Sequence, residues 1–102
     1  MYRKRIVNSI KKALNFPEFR ISTFLYGSEA RGEARKDSDI DLLILVDKDN
    51  VTFEDEMLIS DPLYKIELET GVLINALIMP AREWGKMVTP FYENVMLEGI
   101  AL

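Results

Sequence analysis

The sequence predicts an α/β (α+β) fold, a small mixed β-sheet with helices packed against it, formed as a single domain over residues 1–102. Three observations carry this expectation. Residues 40–46 and 72–79 are almost continuous runs of Ile, Leu, Val and Ala, the signature of strands buried on both faces. Residues 21–26 are β-branched and aromatic and stop at Gly27, which reads as a third strand. The segments between and around these runs carry helical spacing and helix-end signals, so strands and helices alternate along the chain.

In chain order, Tyr2, Ile6, Ile10, Ala13 and Leu14 recur at three- and four-residue spacing with basic residues between them. This is an amphipathic helix ending before Pro17, with its apolar stripe on the core. The 21–26 strand follows, and residues 29–36 form a short helix or a loop. The 40–46 run, interrupted only by Asp41, is expected at the centre of the sheet, and residues 47–50 form a turn. Residues 53–69 are broadly helical, and Asp61-Pro62 is expected to split them into two pieces. Gly71 reads as a left-handed cap before the third strand, which Pro80 stops. A short helix is expected around residues 83–87. Thr89-Pro90 opens a last helix with apolar residues Phe91, Tyr92, Val95 and Met96, and Gly99 ends it.

Composition excludes several chemistries. The 102 residues contain neither cysteine nor histidine. Disulfides, thiolate zinc sites and triads built on histidine are therefore excluded, and any metal sits among oxygens. The start of the chain is basic but is not followed by a long apolar run, so it does not read as a signal peptide. No segment reaches transmembrane length, and the expectation is a cytoplasmic protein away from the membrane. Residues 1–36 hold nine Lys/Arg against three acids, whereas residues 37–102 hold four against fourteen. That division suits a polyphosphate or an acidic partner surface as well as it suits two solvated faces. Nucleic acid is a poor fit, because the basic positions have no aromatic interleaving beyond Tyr2.

The chemistry concentrates between residues 27 and 41. Asp39 and Asp41 are two apart at the start of a strand, so both carboxylates point to one face, while Ile40 and Leu42 point into the core. Two hard oxygen donors without imidazole favour Mg²⁺, with Mn²⁺ as the other candidate. Gly27-Ser28 sits where the preceding strand ends. Glycine lets backbone N–H groups approach a phosphate, and the serine hydroxyl adds a neutral donor. Arg31 suits either a phosphate contact or a surface ion pair with Glu29 or Glu33, and Ser38 suits either a nucleotide contact or a cap on the turn into the strand. Two rival motifs fail by position. An EF-hand loop starting at Asp37 would need Gly at position 42 and Glu at position 48, where Leu42 and Lys48 stand. A P-loop starting at Gly27 would need Lys-Ser/Thr where Glu33-Ala34 stand.

Gly27-Ser28, ten residues, then Asp39-Ile40-Asp41 resembles the signature of the polymerase-β-like nucleotidyltransferases. The fuller wording, with Ala30-Arg31-Gly32 and Ser38-Asp39-Ile40-Asp41-Leu42, resembles the minimal nucleotidyltransferase branch, and residues 83–99 resemble its tail. The resemblance implies a polymerase-β-like core with Gly27 and Ser28 on the triphosphate and Asp39 and Asp41 as the catalytic ligands of two magnesium ions. The implied reaction is transfer of a nucleoside monophosphate, AMP from ATP in the first instance, to a hydroxyl acceptor. In some relatives that acceptor belongs to a HEPN toxin, so a HEPN-domain partner is expected, or else a homo-oligomer. The family places a third carboxylate on a later strand, and the corresponding residue here is Asn75, neither a base nor a strong ligand. The alternative is therefore an antitoxin-like binding module that masks a HEPN partner with weakened catalysis.

Overall fold

The computed structural model describes residues 3–102, so Tyr2, the first member of the expected helical stripe, lies outside the described residues. Helix α1 (Lys4–Ala13) buries Val7 and Ile10 and carries Lys11 and Lys12 in its last turn, where positive charge complements the helix dipole. Strand β1 (Ile21–Tyr26) runs antiparallel to β2 (Ile40–Val46), with Ile21 opposite Val46 and Tyr26 opposite Asp41. Strand β3 (Ile74–Pro80) lies parallel to β2 on its other side, pairing Asp41 with Asn75. A two-residue strand, β4 (Ile100–Ala101), joins the free edge of β1, giving the order β3-β2-β1-β4. The parallel β2–β3 pair requires a long crossover, which helix α3 (Phe53–Thr70) supplies.

β2 is central, as expected, and its alternation divides the core between two layers. Ile40, Leu42, Ile44 and Val46 face α1 and α3 and pack with Val7, Ile10, Ile59, Leu63 and Ile66. Leu43 and Leu45 face the other way, beneath Val95 of helix α4 (Pro90–Glu98) and beside Phe24, Tyr26 and Trp84. Asp41 lies on this second face, half-buried at the start of β2.

Four expectations are corrected. α3 is one helix, not two, with Pro62 inside it. A mid-helix proline costs roughly 3 kcal/mol. Burial of Ile59, Leu63 and Ile66 on one stripe contributes about 1.5–3 kcal/mol for each side chain, which exceeds that cost. β3 is an edge strand and not buried on both faces, for Leu77 is 42% exposed. Its outward face carries Leu77 and Met79 beside Asn75, and the edge is guarded at both ends. Glu67 accepts a hydrogen bond from the N–H of Ile74 (3.1 Å), and Pro80 has no N–H to offer. The helix expected around residues 83–87 is a single 3₁₀ turn at Ala81–Glu83. β4 had no counterpart in the predicted element order. Gly71 takes the expected left-handed conformation at the end of α3, and no described helix is long and apolar enough to cross a membrane.

α3 begins with a reciprocal cap that makes its stability depend on pH. The Asp55 N–H donates to Thr52 Oγ1 (3.1 Å), and the Thr52 N–H donates to Asp55 Oδ2 (3.0 Å), which also accepts from Lys48 Nζ (2.6 Å). The hydrogen bond from Lys48, then that from the Thr52 backbone, holds the Asp55 carboxyl below its usual value. A depressed folded-state pKa stabilises the fold above the unfolded-state value, about 3.9, and the contribution is lost as pH falls through the folded-state value. In thermal melts the wild type is therefore expected to exceed Asp55→Asn in Tm at neutral pH, and the gap is expected to close as pH drops below about 4.

Candidate active site

The motif residues meet because β1 and β2 are antiparallel neighbours. β1 ends at Tyr26, and Gly27 (φ +73°) turns the chain into the short helix α2 (Gly27–Arg31), whose first turn has no side-chain cap. Tyr26 lies opposite Asp41, so the turn arrives beside that carboxylate. A Cβ built on Gly27 would lie 2.6 Å from Asp41 Oδ2. Only glycine satisfies both the positive φ and this approach. Gly27→Ala is expected to push Asp41 out of place and to cost about 1–2 kcal/mol for the left-handed backbone alone. Melting temperature together with nucleotide affinity checks this, and the affinity is expected to suffer more.

Asp39 precedes the first residue of β2 and is exposed, whereas Asp41 lies within the strand and is half-buried. Their carboxylates converge on one group. Asn75 Nδ2 donates to Asp39 Oδ2 and to Asp41 Oδ1, both at 3.1 Å. Parallel pairing of Asp41 with Asn75 places the amide there. Position 75 thus stands where a third carboxylate would complete the cluster. Among the described residues no group of three or more Asp, Glu, His or Cys is arranged to hold a metal. Glu67, just before β3, is engaged by the Ile74 N–H and not turned to this pair.

The remaining candidates separate. Ser38 caps a local turn: its Oγ accepts from the Arg35 N–H at 2.8 Å and its N–H donates to the Arg35 carbonyl at 3.0 Å. Arg31 donates to Glu33 (2.6 Å) and, across to α4, to Glu98 (3.1 Å), and these partners raise its pKa. Glu29, the other acid considered for Arg31, is fully buried and pairs with Arg3. A cavity of about 240 Å³ opens beside Gly27, lined by Tyr26, Arg31, Phe91, Asn94 and Glu98. Sequence reasoning had not singled out Tyr26 or Asn94. The Tyr26 phenol is shifted upward by burial and then by the Asp41 charge, a consequence of the β1–β2 pairing that no local pattern reveals. Phe91 stacks edge-on to Tyr26 (5.3 Å) and to Trp84 (6.0 Å), and Trp84 also meets Tyr92 (4.9 Å); Tyr26 and Trp84 pack against the second core layer, and Phe91 stays partly exposed. A larger hollow, about 520 Å³, lies at the opposite end of β1 and β2 near Phe19, Arg20 and Asp47 and contains none of the motif residues.

The Gly27 turn abuts the Asp39 and Asp41 pair at one end of a mixed sheet, and the chain belongs to the nucleotidyltransferase domain family, whose model matches residues 4–102. The resemblance read from residues 27–41 is thereby borne out. A protein of Methanocaldococcus jannaschii with the provisional name protein adenylyltransferase MJ0604 is 35% identical over 100 residues, covering 97% of this chain and 92% of that protein. Two crystal structures share the fold. One is of a toxin–antitoxin with AMP-PNP, with TM-score 0.62 and 21% identity over 92% of this chain and 69% of that one. The other is of a mutant of the toxin–antitoxin MntA-HpeT, with TM-score 0.56 and 14% identity over 99% and 71%.

Proposed function

We propose that residues 27–41 bind a nucleoside triphosphate, ATP in the first instance, and transfer AMP to a hydroxyl group on a protein partner. The observation that carries this reading is the contact of the Gly27 turn with Asp41 while Asn75 draws Asp39 and Asp41 together. Family membership supports the reaction class, and the name of the M. jannaschii relative supports AMP as the transferred group. The two toxin–antitoxin neighbours support a protein partner, for which a HEPN-domain toxin is the expected candidate.

The donor set fits magnesium of a particular kind. Mg²⁺ commonly binds through one or two carboxylates and completes its octahedron with water and substrate phosphates. Asp39 and Asp41 provide that minimum, so the ion is expected to bind weakly alone and to arrive with the nucleotide. When bound, it would neutralise phosphate charge and support the departing pyrophosphate. The chain's own work is to place the triphosphate against the Gly27-Ser28 turn and to hold the two carboxylates on a rigid strand. In the transfer, the acceptor oxygen forms a bond to the α-phosphorus and the α–β bridging bond breaks, its electron pair leaving with pyrophosphate. The acceptor proton passes to water, because Asn75 offers no base at the position of the third carboxylate.

A second reading, an antitoxin-like module that masks its partner by binding, is favoured by that same asparagine. Incubation with α-labelled ATP, Mg²⁺ and the protein encoded beside it distinguishes the two. Label on the partner supports AMP transfer; label on this chain supports transfer between its own copies. A tight complex without label, indifferent to Asp39→Ala, selects the binding module.

A further inference from the structure

Glu29 is fully buried, yet it lies in the first turn of α2 directly after Ser28. Its carboxylate accepts from the backbone N–H of Arg3 and from Arg3 Nε (2.6 Å). The other guanidinium nitrogens reach a different segment: Nη1 donates to the Lys36 carbonyl (2.9 Å) and Nη2 to the Ser38 carbonyl (2.6 Å). One planar fork therefore joins α2 to the residues that lead into Asp39. No buried side-chain nitrogen or oxygen among the described residues lacks a partner, so the arrangement is complete as it stands.

A buried ion pair is an inefficient way to gain stability, because desolvation consumes most of the attraction and well-packed apolar residues do as well. A rigid fork does offer fixed geometry. Asp39 needs such help. The β2 ladder begins one residue later, with the Ile40 N–H donating to the Leu73 carbonyl at 2.9 Å, so the sheet alone does not hold Asp39. Asp41, by contrast, is fixed by strand pairing on both sides. On the far side of Asp39 the chain is tied by the Ser38 carbonyl to Arg3, and Arg3 is tied through Glu29 to the helix that starts at Gly27.

We infer that Arg3 and Glu29 are positioning residues that set the spacing between the Gly27-Ser28 turn and Asp39. The inference rests on the reading that these two features bind nucleotide and metal together. Neither Arg3 nor Glu29 is needed to touch the nucleotide. Their effect is transmitted through Ser28 on one arm and Ser38 on the other.

The discriminating variant is the double replacement Arg3→Met with Glu29→Leu, which removes both charges at similar volume and frees only backbone groups, the Arg3 N–H and the Lys36 and Ser38 carbonyls. It is expected to fold and melt cooperatively, while Kd for Mg·ATP rises about tenfold to a hundredfold, the scale of a misplacement of about 1 Å. Backbone amide resonances of Ser28 and Asp39 are expected to move in the nucleotide-free protein. Arg3→Lys keeps the charge opposite Glu29 but lacks the fork, and it is expected to weaken Mg·ATP about tenfold or more. A folded double variant with wild-type affinity overturns the inference, as does wild-type affinity in Arg3→Lys if the double variant fails to fold. Should the wild type itself not bind Mg·ATP, the nucleotide reading fails instead. The amide resonances then decide the positioning role, and unchanged Ser28 and Asp39 shifts in the folded variants overturn it.

Discussion

Asp41→Asn is expected to lower AMP transfer about a thousandfold while leaving the fold intact, and Asp39→Asn is expected to act in the same direction. The asymmetry between function and stability follows from where the side chain points. The neighbours of Asp41 in β2, Ile40 and Leu42, are fully buried and carry the packing of that strand against α1 and α3, whereas the Asp41 carboxylate faces the opposite side beside Asn75 and Gly27. An amide fits the same space. It also removes one of two like charges held on a common donor, so unfolding free energy is expected to stay within about 1 kcal/mol of wild type. A neutral amide is a poor ligand for a hard cation, and charge stabilisation worth several kcal/mol in the transition state is lost with it. About 4 kcal/mol corresponds to the thousandfold expected. Single-turnover transfer from labelled ATP measures the rate, and thermal melts report the stability. Activity above a tenth of wild type in both single variants would remove these carboxylates from the centre of the proposed chemistry.

The parts of the site legible in sequence were those that follow from strand geometry. Period-two alternation places Asp39 and Asp41 on one side of β2, and a glycine ending an apolar run marks the turn at residue 27. The single sheet with a central β2 was legible for a related reason, since a seven-residue strand this apolar has to be covered on both faces. The same inference failed for residues 72–79. An apolar run shows that side chains avoid water in some state, and the exposed Leu77 shows that a strand can keep that composition at an edge. Pro62 signals a break through its local backbone cost alone, and the buried stripe of Ile59, Leu63 and Ile66 on the same helix outweighs that cost. β4 is two residues long, and its pairing with Phe24 and Leu25 depends on a return of the chain that no local pattern encodes. The Arg3–Glu29 pair was invisible for the strongest reason. Its members are 26 residues apart and each has a bland local reading, one in a basic segment and one two residues from Arg31 in a polar turn.

Asn75→Asp should separate nucleotide binding from turnover more sharply than any deletion. The Asn75 amide now bridges Asp39 and Asp41, contributing two hydrogen bonds that a carboxylate cannot donate. Aspartate at this position sets three negative charges together with no donor among them, so in the presence of EDTA the variant is expected to melt below the wild type. Divalent cation reverses the sign: three carboxylates bind Mg²⁺ or Mn²⁺ more tightly than two, and ligand that binds only the folded state raises its stability with concentration. A gain of about 10–100-fold in cation affinity corresponds to roughly 1.4–2.7 kcal/mol. The Tm of Asn75→Asp is therefore expected to climb steeply with added Mg²⁺ or Mn²⁺, while that of the wild type responds weakly. Transfer is expected to rise by about 10²-fold, the lower end of what a placed general base contributes, because the new carboxylate can also accept the acceptor hydroxyl's proton. If cation response and transfer both stay at wild-type levels, the register that pairs Asn75 with Asp41 does not bring position 75 to the metal. If the cation response appears without transfer, the site is intact and the acceptor is missing, which is the result that the binding-module reading requires.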